Sequence, residues 1–387
     1  MRPYSRVYAT VNLDAVASNM RSMRDNLPAS TLIMGSVKAD GYGHGSVPVA
    51  KTIEPYVFGY AVATIDEGII LRRHGINKTI LILGVTHESR YEDLLRYDIR
   101  TAMFQYEKAK KLSDLALKQG KKAVVHLALD TGMSRIGMKA DREHAKEAAA
   151  IAALEGIEVE GLFTHFARAD ETDKSAYEEQ YRRYKEFLGY LKELGVKIPI
   201  RHCSNSAGIV ESLESNHMDM VRAGIAIYGM YPSDEVDHNS VKLTPAMEIK
   251  SCITYIKEIE AGTAVSYGGT FVADHTMKVA TIPVGYGDGY VRSLSGKGDV
   301  LIHGKRAAIL GRICMDQFMV DVTEIPEAKF MDPVTLVGKD KDAVIRVEDL
   351  SDLSGRFNYE FVCDLSKRVP REYYKNGTIV KQIDYFE

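Results

Sequence analysis

Over the first 240 residues, short runs of β-branched and other apolar residues alternate with stretches whose apolar positions return every three or four residues. The short runs predict eight strands: TLIMGSVK (31–38), YVFGYAV (56–62), TILILGV (79–85), IRTAMF (99–104), AVVHLALD (123–130), VEGLFTH (159–165), IPIRHCS (198–204) and MDMVRAG (218–224). Between them, QYEKAKKLSDLALKQG, DREHAKEAAAIAALEG and the segment 175–195 carry the helical period. In the last of these, Tyr177, Tyr181, Tyr184, Leu188 and Leu191 share one stripe, a pattern that predicts core packing. VNLDAVASNMRSMRDNL (11–27) reads as an extra leading helix with Asp14 near its start. Eight strands separated by helices is the number that closes a parallel barrel, whereas an open doubly wound sheet would not favour eight. The fold class expected is therefore α/β, with an N-terminal (β/α)8 TIM-type barrel.

Beyond GMYPSDEVDHNS (229–240) the texture changes. AMEIKSCITYIKEIEAG, KVATIPVGYGDG, DVLIHGKRAAILG, FMVDVTEI and PVTLVGK follow one another as strand-like runs, and only VEDLSDLSG interrupts them with a helical pattern. The domains expected are a barrel over 1–240 and a mostly β C-terminal domain over 241–387. Roughly the first ten residues are expected to pair with the C-terminal domain.

Composition narrows the class without changing this picture. The 387 residues are 45% hydrophobic and 27% charged, as in ordinary soluble globular proteins. Lys+Arg number 50 against 53 Asp+Glu, a net charge of −3, so no broad basic field exists to attract nucleic acid. The opening MRPYSRVYATVNLD has no apolar signal-peptide core and no run reaches membrane-spanning length, so no membrane association and a cytoplasmic location are expected. Cys203, Cys252, Cys314 and Cys363 are widely spaced, against a zinc ribbon or a disulfide framework, and Cys314 in GRICMDQ reads as a buried structural thiol.

Barrel enzymes build their sites at the carboxyl ends of the strands. Several polar residues fall there: Lys38 ends the first strand, Arg135 follows the fifth in DTGMSRIG, and His165 ends the sixth. Ser206 follows the seventh in SNSAG, and Arg222 ends the eighth. Each alone has a bland reading as a solvated or capping side chain; their shared placement is what points to a site. The loops after strands seven and eight, SNSAG and RAGIAIYG, offer small residues, a hydroxyl and amides suited to a phosphate, and Tyr42 adds a second hydroxyl. A lysine beside a phosphate site suits a cofactor with a phosphate and an electrophilic carbon, which pyridoxal 5'-phosphate provides. The glycines of GYGHG (41–45) and GYGDG (285–289) do not fit dinucleotide spacing.

In order along nearly the whole chain stand VKADGYGHG, LDTGMSRIG, THFARADE, HCSNSAG, RAGIAIYG, VSYGGTF, IPVGYGDGY, GRICMDQ, FNYEF and KRVPREY. Together they resemble the bacterial alanine racemases, pyridoxal-phosphate enzymes with a β/α barrel followed by a β domain. The resemblance implies that Lys38 carries the cofactor and is one catalytic base, and that Tyr267, supplied by the other subunit of a homodimer, is the second. It implies that Tyr42, Ser206, Gly224, Ile225 and Tyr359 hold the phosphate, that Arg222 faces the pyridine nitrogen, and that His165 links Arg222 towards the tyrosine. Arg135 and the Met315 amide match contacts to the carboxylate of an amino-acid substrate, and Tyr286 and Asp316 match residues near the entrance. The implied activity is interconversion of L- and D-alanine, supplying D-alanine for peptidoglycan.

These roles are physically coherent. Racemisation removes a proton from one face of a carbon and returns it to the other, which two opposed acid/base groups accomplish. A tyrosine needs nearby positive charge to act as a base, and Arg222 with a cationic His165 is the expected source. An arginine at the pyridine nitrogen leaves that nitrogen unprotonated, because a guanidinium does not easily give up its proton. One position departs from the family: many members carry a lysine, as its carbamate, where this chain has Ala128, so the brace on Arg135 is expected to be absent or replaced by chloride or water. The rivals are a serine or broad-specificity racemase on the same scaffold, a barrel-type decarboxylase, which would tend to place a carboxylate at the pyridine nitrogen, and a non-catalytic pyridoxal-phosphate binding protein. The last is disfavoured by the second domain and its Tyr267.

Overall fold

The computed structural model describes residues 5–386. The chain forms two compact units: residues 15–41 with 46–245, and residues 5–14 and 42–45 with 246–386. The main change of unit falls after Pro245, five residues later than the polar stretch in the sequence placed it. The first strand, β1 (Val7–Asn12), belongs to the second unit.

The first unit is a closed barrel of eight parallel strands with helices outside. Its strands are β2 (Leu32–Ser36), β3 (Gly59–Val62), β4 (Thr79–Ile82), β5 (Arg100–Met103), β6 (Ala123–Asp130), β7 (Ile157–Phe163), β8 (Ile200–His202) and β9 (Met220–Ala223). They pair in the order β5-β4-β3-β2-β9-β8-β7-β6, and β6 returns to β5 to close the ring. Met34, Ala61, Leu81 and Met220, from four different strands, form one buried cluster, and Ala102, Ala128 and Phe163 form another. Apolar burial of this kind contributes about 25 cal/mol per Å² and holds the strand ends in register. Helix 175–193 buries Tyr177, Tyr181, Tyr184, Phe187 and Leu191, so the tyrosine stripe is core, with Phe187 in the place expected for Leu188. Beyond β6 the register with β7 slips between Val125 and His126: Val125 lies opposite Val159 but His126 opposite Gly161. Glu160 is the extra residue of that bulge, a device that re-aims a side chain.

The leading helix starts at Leu13, two residues later than the sequence suggested. Val7–Asn12 instead alternates buried and half-buried positions, the period of a strand. Asn12 ends it, its Oδ1 accepting the Asp14 N–H at 2.9 Å.

The second unit is an extended, largely antiparallel sheet. Strand β10 (Met247–Cys252) pairs antiparallel with β1, Val7 facing Ser251. On its other edge β1 runs parallel to Arg371–Lys375, Ala9 facing Arg371. Ile259, Val265, Ala273, Met277, Val279 and Leu310 form a core of this unit. The helical segment read at 347–355 is present as Val347–Ser354. A second helix, Asn358–Cys363, was not predicted, because six residues are too few to display a period. Cys314 is half-buried rather than buried, its Sγ 3.5 Å from Ser266 Oγ in a surface turn. Among the described residues no helix is long and apolar enough to cross a membrane.

Candidate active site

Two residues past β2 the backbone enters a left-handed turn. Ala39, Asp40 and Tyr42 have φ of 50°, 49° and 51°, with Gly41 between them at 62°. A left-handed helical residue other than glycine costs about 1–2 kcal/mol, so the turn stores strain. Three bonds within the barrel unit oppose it: Gly41 N–H to Val37 O at 2.9 Å, Ser46 N–H to Asp40 Oδ1 at 2.8 Å, and Ala39 N–H to Glu67 Oε1 at 2.7 Å. The half-buried Lys38 stands where strand gives way to turn, and Tyr228 donates its hydroxyl to Ser36 O just before it, at 2.9 Å.

At the end of β9, Arg222 is 4% exposed. Its two terminal nitrogens donate to His202 Nδ1 (3.0 Å), His202 O (3.1 Å), Thr164 O (2.7 Å), Cys203 O (3.1 Å) and His165 Nδ1 (3.3 Å). Those contacts absorb its four terminal N–H groups, leaving Nε–H as the donor without a protein acceptor among the described residues. No carboxylate pairs with Arg222 among the described residues either, and burial pulls its pKa down to about 10. Burial, then the charges of Arg222, Arg135 and Lys38, push His165 down to about 3. His165 is therefore neutral near pH 7. The cationic histidine expected from the sequence is corrected: the positive charge at this end of the barrel comes from Arg222, Arg135 and Lys38, and His165 accepts from Arg222.

Behind Arg222 lie residues that the sequence reading passed over. His202 Nε2 is 2.8 Å from His126 Nδ1, and His126 Nε2 is 2.9 Å from Glu160 Oε2. Both histidines stand in otherwise apolar strands and are fully buried. A buried polar residue in an apolar run is the one signal that could have found them.

Ser206 opens a short helical turn (206–210) after β8, and its Oγ accepts the Gly224 N–H at 2.9 Å. The Gly224 amide is thus engaged by Ser206, while Ile225, at the first position of the turn 225–228, has an amide outside the intrahelical pattern. Arg135 is exposed, on a loop after β6 that Asp130 folds by accepting the Gly132 and Ser134 amides, each at 3.0 Å. Among the described residues no carboxylate pairs with Arg135. Ala128 is buried against Ala102 and Phe163.

In the second unit, Tyr42 is buried with its ring centroid 6.0 Å from that of Tyr359, which in turn stacks on Phe357 at 4.4 Å. The glycines of this turn serve close approach. A Cβ at Gly43 would lie 2.0 Å from Val362 O, and one at Gly45 1.9 Å from the Tyr373 hydroxyl. Tyr267 is 67% exposed, Met315 52% and Tyr286 43%. Ser266, just before Tyr267, has φ 63° and ψ −175°, a conformation nearly confined to glycine, and is held there by its Oγ donating to Arg312 O at 2.6 Å. The turns of Tyr286 and Met315 are laced together, Tyr286 N–H to Cys314 O at 3.1 Å and Gly287 N–H to Met315 O at 2.9 Å. Asp316 pairs with Arg368 at 2.6 Å.

Comparison with known proteins gives one answer over the whole chain. Residues 11–232 match the family model for the alanine racemase N-terminal domain, and residues 246–373 that for the C-terminal domain. An alanine racemase of Desulforamulus reducens is 44% identical over 368 residues, 95% of this chain and 98% of that protein. One from Clostridium perfringens is 44% identical over 380 residues, 98% of each. The solved alanine racemase of Clostridium difficile 630 superposes with a TM-score of 0.96 at 40% identity, covering 100% of both chains. That of Bacillus anthracis, solved with bound L-Ala-P, gives 0.93 at 35%, covering 100% of this chain and 99% of the other. With both domain models matched in order and relatives of this identity spanning it from end to end, the chain belongs to the alanine racemase family of enzymes.

Proposed function

We propose that this enzyme interconverts L- and D-alanine with pyridoxal 5'-phosphate as cofactor, using Lys38 and the Tyr267 of a second copy as opposed acid/base groups in a homodimer. The observation that carries the reading is Arg222: a buried cation with no carboxylate partner among the described residues and one N–H, Nε, left over from a full set of protein bonds. Such a donor suits a ring nitrogen that is to remain unprotonated, as a racemase needs, and does not suit a decarboxylase with an acidic partner there. When bound, pyridoxal phosphate supplies the electron-withdrawing ring that makes the α-proton of an attached amino acid acidic.

The residues present fit that group. Lys38 would hold it covalently through Nζ, and the strained turn that follows fixes the backbone from which that side chain leaves. Ser206 Oγ, the Ile225 and Gly224 amides and the hydroxyls of Tyr42 and Tyr359 are assigned to its phosphate. Because Gly224 N–H already serves Ser206, Ser206 can turn its own hydroxyl proton outward, so the pair acts as one donor. Arg135 and the Met315 amide are assigned to the substrate carboxylate, and Tyr286 and Asp316 to the entrance. Lys38 Nζ moves the proton on one face of the α-carbon and Tyr267 Oη on the other. His165, neutral and accepting from Arg222 at Nδ1, turns its Nε2–H outward as a donor to that phenol, which favours the phenolate. The setting inferred is the cytoplasm, where the product serves peptidoglycan synthesis.

A chiral assay on alanine and serine tests the substrate. Alanine from either enantiomer is expected to reach an equal mixture, with serine slower; serine racemised faster would transfer the reading to that substrate. Lys38→Ala is expected to abolish both the yellow of the bound cofactor and turnover. Tyr267→Phe is expected to keep the colour and lose turnover, with single-turnover proton exchange hurt far more for one enantiomer. Equal losses for both enantiomers would rule out opposed bases.

A further inference from the structure

Arg222 is one end of a hydrogen-bonded line that crosses the barrel interior. Its guanidinium has no acceptor capacity, so His202 Nδ1, 3.0 Å from the guanidinium, is the acceptor and carries no proton. A neutral His202 then has its proton on Nε2 and donates it to His126 Nδ1 at 2.8 Å. His126 in turn has its proton on Nε2 and donates it to Glu160 Oε2 at 2.9 Å. Every member is accounted for in one direction only: a cation at one end, a carboxylate at the other, and two imidazoles whose tautomers the ends dictate.

The backbone is shaped around this line. Gly161 lies beside the His126 ring, where a Cβ would stand 2.4 Å from Nδ1. The bulge in β7 makes Glu160 the extra residue opposite His126. Arg100 Nε, 3.5 Å from Glu160, favours the ionised carboxylate, and Glu160 keeps 18% of its side chain exposed. Burial depresses His202 and His126, holding both rings neutral. Glu160 is drawn below the usual carboxylate range, since the His126 bond and the Arg100 charge outweigh its burial.

A buried guanidinium needs a countercharge, but a carboxylate in direct contact would compete with any ligand for its N–H groups. Two polarisable rings deliver the countercharge from a distance, their aligned dipoles reinforcing it. We infer that Glu160 is a positioning residue for Arg222: through His126 and His202, whose tautomers it fixes, it keeps the proton on the guanidinium and so keeps the ring nitrogen of the bound cofactor purely an acceptor. The inference rests on reading Arg222 as the partner of that nitrogen.

Two measurements test it. Long-range 1H–15N correlation on histidine-labelled protein, with His126 and His202 assigned by substitution, reads the tautomers without reference to the cofactor. Both rings are expected neutral, protonated at Nε2 and unchanging across the range where ordinary histidines titrate. A cationic ring, or one protonated at Nδ1, would overturn the relay. Glu160→Gln keeps an acceptor for His126 while removing the charge. In its holoenzyme the ring-nitrogen 15N resonance of labelled cofactor is expected to move from the wild-type position towards that of a protonated pyridine, because the guanidinium has become more acidic. An unmoved resonance in the folded variant would refute the inference. Should the wild-type protein neither bind the cofactor nor racemise alanine, the proposed function fails, and the tautomers still decide whether the relay exists.

Discussion

Three unlike charge states are packed within a few bonds of Arg222, and each follows from its surroundings rather than from residue type. The guanidinium remains charged because its pKa, pulled down by burial to about 10, still lies well above neutral; His202 and His126 remain neutral because burial is decisive for a group with an alternative uncharged form. Neutral buried histidines make stability depend on pH in a definite direction. Their folded pKa values are depressed, so below about pH 6.5 the unfolded chain takes up protons that the folded protein refuses. Stability is expected to be fully present above that range and to fall on acidification by up to about 1.4 kcal/mol per pH unit for each of these two rings and for His165, whose pKa is likewise depressed. Denaturant midpoints taken stepwise from neutral to mildly acid pH measure this, and a flat profile would mean the rings are charged when folded. The strand-end placement of Lys38, Arg135, His165, Ser206 and Arg222 was legible in the sequence because such a position is visible in the apolar pattern. His126, His202 and Glu160 were not: they are brought together by barrel closure and a bulge, and neither leaves a local mark.

At the scale of elements, the barrel strands announced themselves because each is short, apolar and bounded by polar turns. Strand β1 pairs with the C-terminal domain, as expected for roughly the first ten residues; only the helix start, placed at Val11 rather than Leu13, was off, because the alternation is brief and runs directly into an amphipathic helix. The turn after Lys38 was legible as a turn but not in its handedness, since Ala39 and Tyr42 are not residues that favour positive φ. Its later glycines prove to be packing residues as much as flexible ones. Gly43 combines φ +76° with a would-be Cβ 2.0 Å from Val362 O, a backbone atom that cannot step aside. Gly120, after helix 106–118, has φ +64° and nothing within 4 Å. Gly120→Ala is therefore expected to cost about 1 kcal/mol, the backbone strain alone. Gly43→Ala should cost about 3 kcal/mol or more, strain plus displacement of helix 358–363. Urea midpoints of the two variants separate these contributions, and equal shifts would show that the close approach at Gly43 is readily relieved.

For the whole molecule, the decisive question is whether one chain suffices. Tyr267, Met315 and Tyr286 are large side chains left substantially exposed on the second unit of a single chain. Ser266 bears unfavourable backbone geometry immediately before Tyr267, strain with no use to a residue that merely faces water. Both facts favour a second copy that covers this surface and receives the tyrosine. Two inactive variants can decide it. In a mixed dimer of Lys38→Ala and Tyr267→Phe chains, one site would inherit both defects and the other would have an intact Lys38 and an intact Tyr267. Random reassortment at equal amounts makes about half of the dimers mixed, so about a quarter of all sites should become active. If each tyrosine served the lysine of its own chain, every site would retain one defect whatever the pairing. The experiment is to mix the two purified proteins, dissociate and reassociate them, and assay racemisation beside each variant treated alone. Recovery near a quarter of wild-type turnover supports a shared site, and no recovery despite mixed dimers demonstrated by mass would place both bases on one polypeptide.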